Sequence, residues 1–197
     1  MSTTPYYPQF TERFQEMLKG LQGRKVAVIG HARPDGDCIG SQVGMSRMIA
    51  SQGIEVVCVN GDTVPERLQF LVPETEFLRT DDILPVASEY TAVFVDCADG
   101  ERPGERLQKL FPKPYAMVDH HISNQGYAEW DFMDPDSAST TEILAGVCLD
   151  LNLPIDPVMA QAFYAGIVTD TGQFRFPATT KRTFILAAEL FELGAKP

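Results

Sequence analysis

Basic residues are scarce in this chain. Its 16 Lys and Arg are outnumbered by 27 Asp and Glu, which leaves a formal net charge of −11 over 197 residues. That balance excludes a sequence-independent binder of duplex DNA, which needs a basic face to replace counterions. Long apolar runs are missing as well. None approaches the ~20 residues that a membrane span requires, so no membrane partner is expected. The opening stretch MSTTPYYPQFTERFQ has no basic segment followed by an apolar one, so it does not read as a secretory signal peptide. The expected location is the cytoplasm. Cysteine is sparse: Cys38, Cys58, Cys97 and Cys148 are scattered, with no CxxC pair. This excludes a disulfide framework and a zinc knuckle, and each cysteine reads as a small apolar filler. There is no internal repeat, no low-complexity tract and no G-x-G-x-x-G fingerprint of a dinucleotide-binding domain. Histidine is scarcer still. There are three, and two of them are adjacent in VDHHISN, residues 118 to 124.

What is present is an ordinary globular composition, 44% hydrophobic and 22% charged, long enough for one domain with a real core. Residues 9 to 22 read as an amphipathic helix with Phe10, Phe14, Met17, Leu18 and Leu21 on one face, ended by Gly23. KVAVIG (25–30), IEVVCVN (54–60), TAVFVD (91–96) and YAMVD (115–119) are apolar runs of strand length. Such runs suit central parallel strands buried on both faces. Between the first two lies a helix beginning near Cys38 and closed by Gly53, which makes a β-α-β unit. Thr63, Pro65 and Glu66 predict a capped helix over 63–71, and a short helix is expected near 103–110. Ser139 with Glu142 predicts a capping box, Asp156 and Pro157 open a helix to about Thr169, and a final helix closes at Gly194. GQFRF (172–176) predicts a short strand. The fold class is therefore α/β, a mostly parallel β-sheet with helices on both faces. Ligands of such sheets bind beyond the carboxyl ends of the strands.

The strand ends carry the chemistry. His31, Asp35 and Asp37 follow the first strand. Asp96 and Asp99 follow the third, Asp119-His120-His121 the fourth, and Asp170 ends a helix. A lone carboxylate in a loop means little. Several gathered at one sheet edge would repel, because like charges a few ångströms apart cannot all stay ionised without a counter-charge. Divalent cations supply one, and they also let an acidic protein hold an anionic substrate. The expected shell is His31, Asp35 and Asp96 on one ion, and Asp37, Asp96, His120 and Asp170 on the other, with Asp96 shared. Four carboxylates balance two divalent ions. Imidazole and carboxylate without thiolate suit Mn²⁺, with Mg²⁺, Co²⁺ and Fe²⁺ as alternatives, and paired ions serve phosphoryl hydrolysis. In HARPDGDCIGS, Gly36 is read as allowing a tight turn between two aspartates. The following helix start is read as offering free N–H groups to a phosphate.

HARPDGDCIGS, VDCAD, DHH and TDTGQFRF resemble, in order and approximate spacing, the motifs of the DHH phosphoesterase superfamily. The resemblance covers residues 20 to 197 and is nearest to the bacterial nano-RNase and pAp-phosphatase branch. It implies a Rossmann-like catalytic domain over residues 23–197, preceded by an N-terminal helical segment over 1–22. The DHH-associated domain that usually follows is not contained in this chain. It implies a Mn²⁺-dependent phosphoesterase acting on short single-stranded oligonucleotides or on 3′-phosphoadenosine 5′-phosphate, through a two-metal site with a bridging hydroxide. A homodimer is compatible with that reading. The six ligands carry over unchanged. His121 becomes the non-ligand residue facing the scissile phosphate, supported by Asp119. Arg33, where this branch often has Asn, and Arg175 are candidate phosphate contacts. Rival activities in the superfamily are pyrophosphatase, exopolyphosphatase, cyclic-dinucleotide phosphodiesterase and RecJ-like exonuclease, although the first motif lacks the DxDxDG character of the last. The rival outside catalysis is a nucleotide-binding module with an inactive site.

Overall fold

Five- and six-residue apolar runs cannot satisfy their backbone groups alone, so they pair. The computed structural model describes residues 4–197, and the first three residues of the expected segment 1–22 lie outside the described residues. The strands are β1 (Lys25–Ile29), β2 (Glu55–Asn60), β3 (Phe77–Arg79), β4 (Tyr90–Val95), β5 (Ala116–Asp119) and β6 (Trp130–Met133). They form one sheet in the order β3-β2-β1-β4-β5-β6, and every neighbouring pair is parallel. The two edge strands, β3 and β6, are short and were not anticipated. The order reverses between β1 and β4, which makes that crevice the switch point at which open α/β sheets bind ligands.

Among the described residues, seven α-helices accompany the strands: α1 (Pro8–Gly20), α2 (Gly36–Ala50), α3 (Thr80–Ile83), α4 (Glu105–Leu110), α5 (Thr140–Asp150), α6 (Pro157–Asp170) and α7 (Lys181–Glu192). Side chains alternate between the faces along each strand, as a period of two demands. Val26, Val28, Val93, Val95 and Val118 enter one core with residues of α1, α2, α5 and α6. Ala27, Ile29, Val57, Phe94 and Met117 enter the other with Ile83, Leu107 and Phe111. Helix α1 buries Phe10, Phe14, Met17 and Leu18 in the first core, so it belongs to the same packed body as the sheet. Each such fully buried side chain contributes about 1.5–3 kcal/mol. Among the described residues no helix is long and apolar enough to cross a membrane.

Several local expectations are corrected. Residues Glu66–Leu71 form only a 3-10 helix with no side-chain cap, because Pro65 is extended rather than helical. GQFRF is not a strand: Gly172, Gln173 and Phe174 all have positive φ (55°, 62° and 63°), which turns the chain back on itself. Helix α2 starts two residues earlier than expected, with Asp35 as its N-cap. Gly36 is consequently helical and permits no special turn. A Cβ there would collide with Thr169 of α6, so this glycine serves close helix approach. Gly40 does the same, against the Ala162 carbonyl. The capping box at α5 is half formed. Ser139 Oγ accepts from Glu142 N at 3.0 Å, but the Glu142 carboxylate accepts from Ala138 N at 2.8 Å and from Arg182 Nε at 2.8 Å.

Candidate metal centre at the switch point

The site grows out of the ends of β1, β4 and β5. Past β1, the His31 ring is buried. Its Nδ1 donates to the Ala32 carbonyl at 2.8 Å, which places a proton on Nδ1 and turns Nε2 toward the carboxylates. That Nε2 lies 3.3 Å from Asp96 Oδ2 and 3.8 Å from Asp35 Oδ1. Asp96 ends β4 in a left-handed conformation, φ 57°, which Asp tolerates better than most residues. Its amide still donates to the Val118 carbonyl at 3.0 Å, so the ladder to β5 continues through the bend. Past β5, His120 Nε2 lies 3.1 Å from Asp170 Oδ2 at the end of α6 and 3.8 Å from Asp96 Oδ1. Asp96 Oδ1 also lies 3.7 Å from His121 Nδ1, so one oxygen of Asp96 faces His31 and the other faces both His120 and His121.

Asp37 is fully buried between α2 and the start of α5. Its carboxylate accepts from Thr140 N (2.7 Å), Thr141 N (2.9 Å) and Thr141 Oγ1 (2.5 Å). Thr140 Oγ1 also donates to Asp96 Oδ1 at 3.1 Å. A helix start does hold an anion here, but it is the start of α5, and the anion is a side chain of the protein. At α2 the N–H groups of Asp37 and Cys38 donate to Asp35 Oδ1, each at 3.1 Å. The expected phosphate cradle is occupied by its own cap. Asp35 therefore stands at the rim, half exposed, as a helix cap that also faces His31.

Adjacent histidines diverge. His121 Nδ1 donates to Asp119 Oδ1 at 2.7 Å, and Asn124 Nδ2 donates to Asp119 Oδ2 at 2.7 Å. Asp119 is completely buried, whereas His121 is about one-third exposed (32%). Its Nδ1 proton is held inward, so Nε2 is the atom free to act. Asn124, Thr140 and Thr141 were not anticipated. Nothing in their residue types signals a role, since each acts through a partner remote in sequence. Arg33 is exposed at φ 56°, with its amide on Asp62. Arg175 is exposed, with Nε on the Gly172 carbonyl at 2.7 Å. Asp99 caps the turn at Glu101 and Arg102.

The electrostatics show how crowded the edge is. Burial raises Asp37 well above the carboxylate range, and Asp96 and Asp170 add to it. Burial opposes charge on His31 and His120, yet neighbouring carboxylates overcome it. Asp35 and Asp96 raise His31, and Asp170 is the main partner pushing His120 up to about 10. Asp119 raises His121 through its hydrogen bond. Burial also disfavours charge on Asp35, but His31 and the N–H groups of Cys38 and Asp37 hold its carboxyl below the usual range. The cluster calls for positive charge, and its donors are close enough to share an ion. Ligand atoms of Asp37, His120 and Asp170 lie within 4.8 Å of one another, as do those of Asp96, His120 and His121. Cys38 Sγ groups in the same way with His31 and Asp96, although burial pushes that thiol up to about 11. Imidazole and carboxylate donors with no thiolate form a fitting set for a hard or intermediate divalent cation.

A doubly wound parallel sheet with such donors at its switch point defines a class of α/β protein whose carboxylate–imidazole edge could hold metal ions. The DHH family, N-terminal domain, matches residues 25–167, and the chain belongs to that family. It is 31% identical over 193 residues to the bifunctional oligoribonuclease and PAP phosphatase NrnA of Thermus thermophilus, a match covering 96% of this chain and 57% of that protein. It is 30% identical over 171 residues to the protein of the same description from Bacillus subtilis, covering 82% of this chain and 51% of that one. The chain thus spans little more than half the length of these relatives. Among solved structures, an exopolyphosphatase-related protein from Bacteroides fragilis shares the fold, with TM-score 0.85 at 20% identity over 100% of this chain and 59% of that one.

Proposed function

We propose that this chain is the catalytic domain of a metal-dependent phosphoesterase that cleaves short oligonucleotides, 3′-phosphoadenosine 5′-phosphate or both. The observation that carries the reading is Asp96, one of whose oxygens faces His31 while the other faces the His120–His121 pair. A carboxylate shared by two ions needs that disposition. His31, Asp35 and Asp96 would hold one Mn²⁺, and Asp37, Asp96, His120 and Asp170 the other. Bound there, the ions supply Lewis-acid charge that lowers the pKa of water and offsets the charge of a phosphoryl group. The relatives described as oligoribonuclease and PAP phosphatase direct the substrate assignment toward nucleotides.

The protein's own groups divide the remaining work. Ala32 and Asp119 fix the tautomers of His31 and His121. His121, supported by Asp119 and partly open to solvent, carries a proton at Nε2 to the leaving alkoxide or steadies the phosphoryl oxygens. Thr140 and Thr141 lock Asp37 and Asp96 in place, so that the carboxylates do not have to reorganise during the reaction. The test is hydrolysis of 3′-phosphoadenosine 5′-phosphate, dinucleotides, pyrophosphate and polyphosphate, with and without Mn²⁺. Turnover of the nucleotide substrates only when the ion is present supports the reading. Turnover of pyrophosphate or polyphosphate alone would replace it, and no turnover of any of the four would overturn it.

A further inference from the structure

Apolar side chains of large size are usually spent in the core, and this chain exposes two of them on segments that follow residues of its polar centre. Ile122 directly follows His121 and is 85% exposed. Phe176 lies six residues past Asp170 and is 53% exposed. The 3.1 Å approach of His120 to Asp170 ties the two segments to the same centre.

The segment that carries Phe176 is held in an unusual shape. Gly172, Gln173 and Phe174 are three consecutive residues at positive φ. L-residues other than glycine seldom enter that region, and such conformations persist only where surrounding structure enforces them. The enforcement is visible. Thr171, fully buried, accepts from Phe174 N through its Oγ1 at 2.9 Å, and its carbonyl accepts from Arg175 N and Phe176 N. Gln173 N donates to the Val168 carbonyl at 2.8 Å. Phe174 is drawn inward, its ring stacked 5.2 Å from Phe184. Phe176 is sent outward instead, and its ring lies on Gly172, where a Cβ would collide with it. The result is an aromatic ring fixed in place with one side against backbone and much of its surface in water.

We infer that Phe176, with Ile122 on the segment that follows His121, is the stacking platform for a nucleobase whose phosphate is held at the metal edge. The inference rests on the phosphoesterase reading for the position of the phosphate, and it adds the contact that would distinguish a nucleotide from a bare phosphoester. A pre-fixed ring suits a base because no side-chain freedom is lost on binding. Stacking also tolerates any base, since each has a π-face. A flat apolar contact beside a polar phosphate site is the division of labour that single-stranded nucleic-acid recognition requires.

The test is equilibrium binding by calorimetry in saturating Mn²⁺, with adenosine 5′-monophosphate and ribose 5-phosphate as probes. Wild type is expected to prefer the nucleotide. Phe176→Ala should weaken nucleotide binding by about five- to 150-fold, the range for loss of one base–aromatic stack, and leave ribose 5-phosphate unchanged. Phe176→Trp should restore the preference, and Ile122→Ser should reduce it by a smaller factor. Equal affinity of wild type for both probes, or of Phe176→Ala and wild type for the nucleotide, would overturn the platform. Loss of affinity for both probes in Phe176→Ala would also overturn it, by making the ring structural. Because binding is read without turnover, base-selective binding by a protein that cleaves no phosphoester would sustain the platform and refute the catalytic reading.

Discussion

The two faces of the sheet are covered in different ways. On one face lie α1, α2, α5 and α6, the helices whose side chains form the larger core. They approach closely because glycines replace side chains at the crossings. Gly40 meets the Ala162 carbonyl, Gly44 the Phe163 ring, and Gly166 the Thr141 side chain. On the other face the cover is thin: the four-residue α3, the six-residue α4 and a 3-10 segment at Leu84–Glu89. The buried carboxylates belong to the thick face and its strand ends. Buried Asp37 sits on α2, partly exposed Asp170 ends α6, and the N–H groups that hold Asp37 come from α5. Like charges at this spacing would push their supports apart. A closely packed layer resists that push because rearrangement would lose many contacts at once.

The largest effect should come from breaking the shared ligand. Asp96→Ala is expected to reduce Mn²⁺-dependent hydrolysis to background, a loss of at least about 10²–10³-fold. It should also abolish the stabilisation expected from Mn²⁺ in the wild type, about 2.7 kcal/mol at a hundred times Kd, read as a shift in Tm. Turnover equal to wild type would remove Asp96 from its shared role. Next comes His121→Ala, expected to lower the rate by about 10²–10⁴-fold, the usual share of a general acid, while Mn²⁺ affinity by calorimetry stays unchanged. A matching loss of metal affinity would make His121 a ligand instead.

Packing differences between the faces can be read by thermal unfolding. Gly44→Val puts a side chain into the Phe163 ring and should cost about 1–3 kcal/mol. The same measurement on Phe111→Leu, on the thin face, should show less than about 1.5 kcal/mol. If the two losses are equal, the thick face is not the more constrained one. The smallest effect concerns Asp156, which caps α6 and pairs with Arg47 of α2 at 2.7 Å. Desolvation opposes its charge, but the Met159 N–H and Arg47 hold its carboxyl below the ordinary value. A depressed folded-state pKa means the contribution is present above about pH 4 and lost as pH falls through the folded value. Asp156→Asn should therefore lower stability by about 0–1 kcal/mol at pH 7, and the difference should vanish near pH 2. A difference independent of pH would assign the effect to the cap alone.

Much of this architecture was legible in the chain. The central strands β1, β2, β4 and β5 are apolar runs, so their burial on both faces is written locally. Helices α1, α5, α6 and α7 show either a one-sided apolar face or a capping residue with proline. The edge strands β3 and β6 were not legible, because FLR and WDFM become strands only through pairing with β2 and β5. The turn after Asp170 was misread for a related reason. Alternating Phe174 and Phe176 imitates a strand, while buried Thr171 and its hydrogen bonds impose three positive φ angles. Gly36 was read as a turn glycine, yet it answers to a neighbouring helix that the local sequence does not reveal.

Residue type and short-range period, which act over a few neighbours, determined by themselves the class of fold and the presence of imidazole and carboxylate at the strand ends. Only the tertiary structure decided which oxygen of Asp96 faces which histidine, that Asp37 rests on the start of α5, and that His121 is held by Asp119. Those relations join residues distant in sequence, and their distances are set by how closely whole helices and strands can pack.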